Sequence, residues 1–245
     1  RMTLLQAKNH ATGDVIGTVV QYSAHPTIIG GSQRVHSDFV RALQIATEKQ
    51  GGIALFFNGV IADASSNTGA GEPPAGSNDE QEADAYGTAM GKKVVTILRN
   101  KAKPVMFRMN VQHRTVTLPI TNPIFQGVAG LGFFNGYYDF TSTQPNPDSN
   151  PRPGPSAAPV AISAVSRVTF GAVGCDCLEV VTIPGEATNT FGQGIRTLAA
   201  GRDTMLLGLT HNSFGYIIPE NQYSSEEVSE GRVADCSYPN GYEEN

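Results

Sequence analysis

Three stretches of the chain end an apolar run on a side chain able to hold a cation. Val15 to Tyr22 empties into Ala24-His25-Pro26, and Val181-Thr182-Ile183 runs into Pro184-Gly185-Glu186. Met205 to Leu209 leads into a Gly215-Tyr216 turn. Strand ends are where open α/β sheets tend to keep their chemistry. An imidazole, a carboxylate and a phenol delivered to neighbouring strand ends would make a metal site of nitrogen and oxygen donors. Taken alone, His25 also reads as the residue that merely closes a strand.

The elements that must carry these residues follow from periodicity. Met2–Ala7 and Val15–Tyr22 read as a hairpin joined by a turn over Asn9 to Asp14. Ser37-Asp38 marks a helix start, Phe39, Leu43 and Ala46 repeat on one face, and Gly51-Gly52 ends the helix. Ile53–Phe57 is a short apolar run of the kind that forms a buried parallel strand. A second helix is expected over Glu80–Arg99, with Ala83, Tyr86, Met90, Val94 and Ile97 at helical spacing. Strand, helix, strand, helix is an α/β unit.

From Val105 the pattern turns to β. Val105–Val111 and Arg114–Leu118 read as a meander, followed by strands at Val165–Phe170 and Leu178–Ile183, a helix at Thr188–Ala199 and a strand at Met205–Leu209. Between them, residues 119–159 form a long irregular insertion. A loop of that length is uncommon in a compact domain unless it is a lid, a binding loop or a surface-draped segment. Its aromatics Phe125, Phe133, Phe134, Tyr137, Tyr138 and Phe140 are expected to pack the loop down or to line an apolar groove. The expectation is one α/β domain over 1–245, with a mixed sheet, flanking helices and the 119–159 insertion. No internal repeat is present.

Composition excludes several classes. Of 245 residues, 40% are apolar, enough for a core, and the net charge of −5 leaves no basic patch for nucleic acid. No apolar run reaches the roughly 18 residues a membrane helix needs. Arg1 to Leu5 does not resemble a signal peptide. Because Arg1 opens directly into a strand, the chain is expected to be incomplete at its N-terminus. Cys175 and Cys177 would lie about 6–7 Å apart in an extended strand, too far to bridge easily. A disulfide from one of them to Cys236 and reduced core thiols both stay open.

Several motifs, in order, resemble the neutral, non-lysosomal ceramidase family. They are Gln21-Tyr22-Ser23-Ala24-His25-Pro26 with Ser37-Asp38-Phe39, the run Phe57-Asn58-Gly59 to Asp63-Ala64-Ser65-Ser66-Asn67, and Pro184-Gly185-Glu186. Asn212-Ser213-Phe214-Gly215-Tyr216 and the terminal Gly241-Tyr242-Glu243 complete the set. The resemblance implies a zinc-dependent amidohydrolase, secreted or extracellular and near a membrane surface. It would cleave the N-acyl bond of a ceramide-like, lipid-like amide through metal-activated water.

Carried over by motif, His25, Glu186 and Tyr216 are zinc ligands and Ser65 is a catalytic serine near the metal. Asp38 and Asp63 are candidates to orient ligand imidazoles. Their simpler roles are a backbone-bonded loop serine for Ser65, a helix cap for Asp38 and an Asx turn for Asp63. Two positions depart from the family pattern, Ala62 in place of glycine and Ser66 in place of proline. The family's other histidine ligand lies in a His-Thr-His element that has no counterpart in this chain. His10, His36 and His113 stand in no comparable context. The resemblance therefore implies an additional polypeptide segment that carries the missing ligand. The rival expectation is a non-catalytic structural or binding protein that keeps the fold with an incomplete metal site.

Overall fold

The computed structural model describes residues 1–30, 34–66, 76–105, 108–119, 122–124, 160–171, 178–199, 202–219 and 222. The fold is α/β, with mixed sheets and flanking helices, as expected. Most of the 119–159 insertion with its aromatic residues, all three cysteines, Asn67 and Gly241-Tyr242-Glu243 lie outside the described residues.

The first layer is a three-stranded sheet ordered β1-β2-β3. β1 (Met2–Lys8) and β2 (Val15–Tyr22) form the antiparallel hairpin, Met2 opposite Tyr22. Asn9 closes its turn, donating its N–H to the Asp14 carbonyl at 2.8 Å while its side chain accepts from Ala11 N–H. After α1 (Phe39–Glu48), β3 (Ile53–Asn58) returns parallel to β2. α1 also caps the outer edge of β3, because Gln44 Nε2 donates to the Ala54 carbonyl and Glu48 Oε1 accepts from Ala54 N–H. Those groups would otherwise face an unpaired edge.

α2 (Asp79–Lys101) starts with a reciprocal cap between Asn78 and Gln81, with acidic residues in its first turn and basic ones in its last. It lies directly on α1. A Cβ on Gly91 would stand 2.4 Å from the Ala46 Cβ, so only glycine lets the two backbones approach this closely. The core beneath contains Val20, Phe39, Leu43, Tyr86, Met90 and Val94, all buried. Phe39 meets Phe56 and Tyr86 edge-on, at centroid distances of 5.7 and 5.1 Å.

The second layer is a four-stranded sheet ordered β4-β5-β6-β8: β4 (Met109–Pro119), β5 (Val160–Phe170), β6 (Leu178–Thr182) and β8 (Asp203–Leu207). β6 and β8 are parallel, joined by a crossover through α3 (Asn189–Leu198). Phe191 and Ile195 of α3 pack with Val181, Leu206 and Val60 in a second, smaller core. Beside it, buried Glu179 lies between Arg167 and Arg202.

Two expectations change. The meander over 105–118 is a single strand, β4, paired along its whole length with β5. Gln112-His113 carries no turn chemistry, and His113 sits in register with Ser166. β3 is parallel as expected but covered on one face only: Ala54 is buried, whereas Ile53 and Leu55 are 61% and 47% exposed.

Candidate functional site

The candidate site forms where the exits of β2 and β3 meet the chain around β7 (Glu186–Ala187) and β9 (Tyr216–Ile217). Beyond β2, Ser23 Oγ accepts from Val60 N–H at 3.1 Å, and His25 N–H donates to the Ala64 carbonyl at 2.9 Å. The two exits therefore run side by side. The β3 exit is in turn fastened to the other layer. Ala62 N–H donates to the Ala187 carbonyl, Gly208 N–H donates to the Asn58 carbonyl, and Asp63 Oδ1 accepts from Asn189 N–H at 2.7 Å. A Cβ on Gly208 would lie 2.3 Å from the Gly59 carbonyl oxygen, and one on Gly59 would lie 2.0 Å from Gln21 Nε2 and 2.3 Å from Ser23 Oγ, so each position is crowded on its own account.

Glu186 and Tyr216 are register partners in the parallel β7–β9 pair. Their side chains thus leave neighbouring strands at one level, about 4.8 Å apart at the backbone. Gly215, at φ 78, makes the turn that delivers Tyr216, and its carbonyl accepts from Glu186 N–H at 2.8 Å. Thr210 locks this assembly. Its hydroxyl oxygen accepts from Ile183 N–H at 3.0 Å, and the hydroxyl donates to the Leu207 carbonyl at 2.8 Å.

Across this pair stands His25, with Nε2 3.3 Å from Glu186 Oε2 and both side chains about three-quarters buried. Glu186 Oε2 is itself buried, yet it accepts no hydrogen bond. A buried carboxylate oxygen without a donor is costly unless something cationic completes it. An imidazole nitrogen and a carboxylate oxygen that face each other at ion-pair distance, outside hydrogen-bond geometry, suit a shared cation. The residues present therefore fit a zinc ion bound by nitrogen and oxygen. Among the described residues no group of three or more His, Cys, Asp and Glu side chains could hold a metal. A third ligand among the described residues would thus be of another type, as the Tyr216 phenol is.

The other expected residues are placed as follows. Ser65 is exposed and adjoins Ala64, whose carbonyl anchors His25. Asp38 is buried, and both its oxygens serve backbone amides, Phe39 N–H and Ile29 N–H, each at 2.8 Å. It caps α1 and holds the loop that leaves His25. Asp63 fastens the start of α3. Both aspartates bond backbone amides: Asp38 caps its helix, as its simpler role has it, whereas Asp63 reaches Asn189 across the fold instead of closing a local Asx turn. Ala62 and Ser66, the two departures from the family pattern, are both buried. The three strand ends do not belong to one sheet: His25 follows the first layer, and Glu186 and Tyr216 make a small pair of their own.

Sequence reading missed Ser23 and Thr210 as clamps. It also missed the bridge between His113 and His211 through Ser166. Only a contact across 45 residues or more reveals that bridge, and no local pattern signals it.

No family model and no curated protein matches the chain. Solved structures do. Neutral ceramidase from Pseudomonas aeruginosa superposes with a TM-score of 0.60 at 17% identity, over 88% of this chain and 40% of that one. A ceramidase complexed with C2 gives 0.60 at 16% identity, over 89% of this chain and 42% of that one. The likeness is one of fold, and the chain spans less than half the length of either structure.

Proposed function

We propose that the chain is the site-bearing part of a zinc-dependent amide hydrolase acting on a ceramide-like N-acyl bond. The observation that carries the reading is the buried Glu186 oxygen, unbonded and facing His25 Nε2 at 3.3 Å, with Tyr216 in register beside it. When bound, zinc supplies polarisation of an amide carbonyl and lowers the pKa of a water toward about 7. The chain's own residues do the rest. His25 offers an imidazole nitrogen, its backbone N–H anchored on the Ala64 carbonyl, and Glu186 offers a carboxylate oxygen, its backbone N–H anchored on the Gly215 carbonyl. Tyr216 adds a phenol from the neighbouring strand. Ser65, exposed beside the His25 anchor, is assigned to orienting water or the substrate amide.

The same proposal includes a further polypeptide segment that brings a second imidazole. The apolar face of β3 supports it, because parallel strands are normally covered on both faces and Ile53, Leu55 and Phe57 are not. His10 lies in the turn at the far end of the first sheet, and His113 and His211 are bonded to Ser166. A secreted or extracellular location belongs to this reading. No helix among the described residues is long and apolar enough to cross a membrane.

The rival reading, a non-catalytic relative of the fold, is separated by assay. Protein purified from its source and loaded with zinc is tested on an N-acylsphingosine. Hydrolysis is expected. Glu186→Ala should lose both zinc and turnover, and Ser65→Ala should keep zinc and turn over about 100- to 1,000-fold more slowly, the span of a lost stabilising group. Full activity in Glu186→Ala would overturn the assignment. Absence of both zinc and hydrolysis in the unaltered protein would favour the non-catalytic reading.

A further inference from the structure

The loop from Gly208 to Gly215 delivers Tyr216, and two of its residues, Leu209 at φ 54 and His211 at φ 66, hold left-handed backbone that residues other than glycine seldom adopt. His211 is fixed there by its side chain. Its Nε2 lies 3.0 Å from Ser166 Oγ on β5, and the same oxygen lies 2.9 Å from His113 Nδ1 on β4. The two imidazole rings meet edge-on at 5.5 Å. Asn212 adds a bond from Nδ2 to the Ile162 carbonyl, so the loop is fastened to β5 at two points.

We infer that His113, Ser166 and His211 form a proton-sensitive clasp, with His211 as a positioning residue that holds the Tyr216 loop against the second sheet. The protons decide this. A hydroxyl has one proton to donate, so Ser166 can donate to one imidazole and accept N–H from the other. With both rings protonated, neither can accept, and two like charges face each other across one oxygen. Ser166 Oγ has two lone pairs and could accept from both rings, so it is the repulsion between the two charges that favours at least one neutral ring.

Burial first, and His113 second, hold the His211 imidazole below its ordinary value. The sign follows. A base whose pKa is lowered by folding leaves the unfolded chain holding more protons as pH falls below about 6.5, so the stabilisation is complete above that value and is lost on acidification. Little else ionisable shares this environment among the described residues. By strand alternation, His113, Ser166, Thr182 and Leu207 lie on one face, while Arg114, Arg167 and Glu179 lie on the other. On that face β5 and β6 contribute no charge, and β8 contributes Asp203, at its far end and paired with Arg1. The loop adds Tyr216, beside the paired His25 and Glu186.

Only the link from clasp to turnover rests on the proposed function, so the test reads the loop itself. Amide hydrogen exchange of Leu209 and Phe214, which donate to the Gly185 and Pro184 carbonyls, is compared with that of Val20 and Leu206 in the two cores. Corrected for the chemistry of exchange, loop protection should fall about tenfold relative to the cores for each pK unit separating bound from free His211, between about pH 7.5 and about pH 5. His211→Asn tolerates left-handed backbone and does not titrate, and His113→Asn leaves the loop sequence intact. Each should keep the loop protected at neutral pH; His211→Asn should remove its dependence on pH, and His113→Asn, which takes away the second cause and leaves burial, should reduce it. Glu186→Ala should retain that dependence, which keeps failure of the clasp separate from failure of the metal reading. Should the histidine variants not fold, proton NMR of the unaltered chain decides, with His211 titrating below the ordinary range. An equal pH dependence in the histidine variants, a flat profile in the unaltered chain, or an ordinary His211 titration would each overturn the clasp.

Discussion

The α1–α2 layer and the strand-end assembly are built on opposite principles. Between α1 and α2 the interior is closed by Phe39, Leu43 and Val94, which are fully buried. At the strand ends the elements are two residues long, Leu209 and His211 hold positive φ within the loop, and a carboxylate oxygen is buried without a hydrogen-bond donor. One region is satisfied and the other is not. Local conflict of this kind concentrates where a chain uses its residues for something other than folding.

That contrast breaks most visibly at Phe39. Phe39→Ala should cost about 3–5 kcal/mol, read as a lower urea midpoint, because it leaves a cavity between the sheet and both helices. The geometry around Glu186 should survive in whatever fraction stays folded. A loss of site geometry at unchanged stability would mean that the two regions are not separable.

A smaller effect is expected at Thr210. Thr210→Val keeps the shape but removes the hydroxyl's bonds to Ile183 N–H and the Leu207 carbonyl, which still bond each other at 2.8 Å, so the cost is that of a lost hydrogen bond, about 0.5–1.5 kcal/mol. The loss should show as faster amide exchange around 183–187 while α1 and α2 remain protected. Uniform loosening of the whole chain would blur the distinction.

The smallest change sharpens the comparison. Glu186→Gln removes a buried charge whose Oε2 has no hydrogen bond, so in metal-free protein stability should shift by less than about 1 kcal/mol and can rise. A large destabilisation would show that the carboxylate is a structural group, with its pairing to His25 doing the work.

How much of this could be read from sequence differs between the same two regions. The hairpin, α1, β3 and α2 follow from local periodicity and turn chemistry. The strand-end residues His25, Glu186 and Tyr216 could be named because each follows an apolar run, with glycine or proline at the exit. What binds them together could not. The β7–β9 pair is too short to leave a pattern, and Thr210, Ser23 and Ser166 act through contacts distant in sequence. β4 was split into two strands for a related reason. Its polar Gln112-His113 looks like a break locally, whereas pairing with β5 carries it through.

The central claim is that His25, Glu186 and Tyr216 form one cation site at the meeting of the two layers. Equilibrium zinc titration of the unaltered protein against Glu186→Ala and Tyr216→Phe tests it most directly. The account predicts one zinc per chain, with affinity weakened at least about 100-fold in Glu186→Ala and more modestly in Tyr216→Phe, in keeping with the loss of a direct ligand exceeding the 10- to 100-fold typical of supporting residues. Zinc bound equally well by the unaltered protein and Glu186→Ala would contradict it.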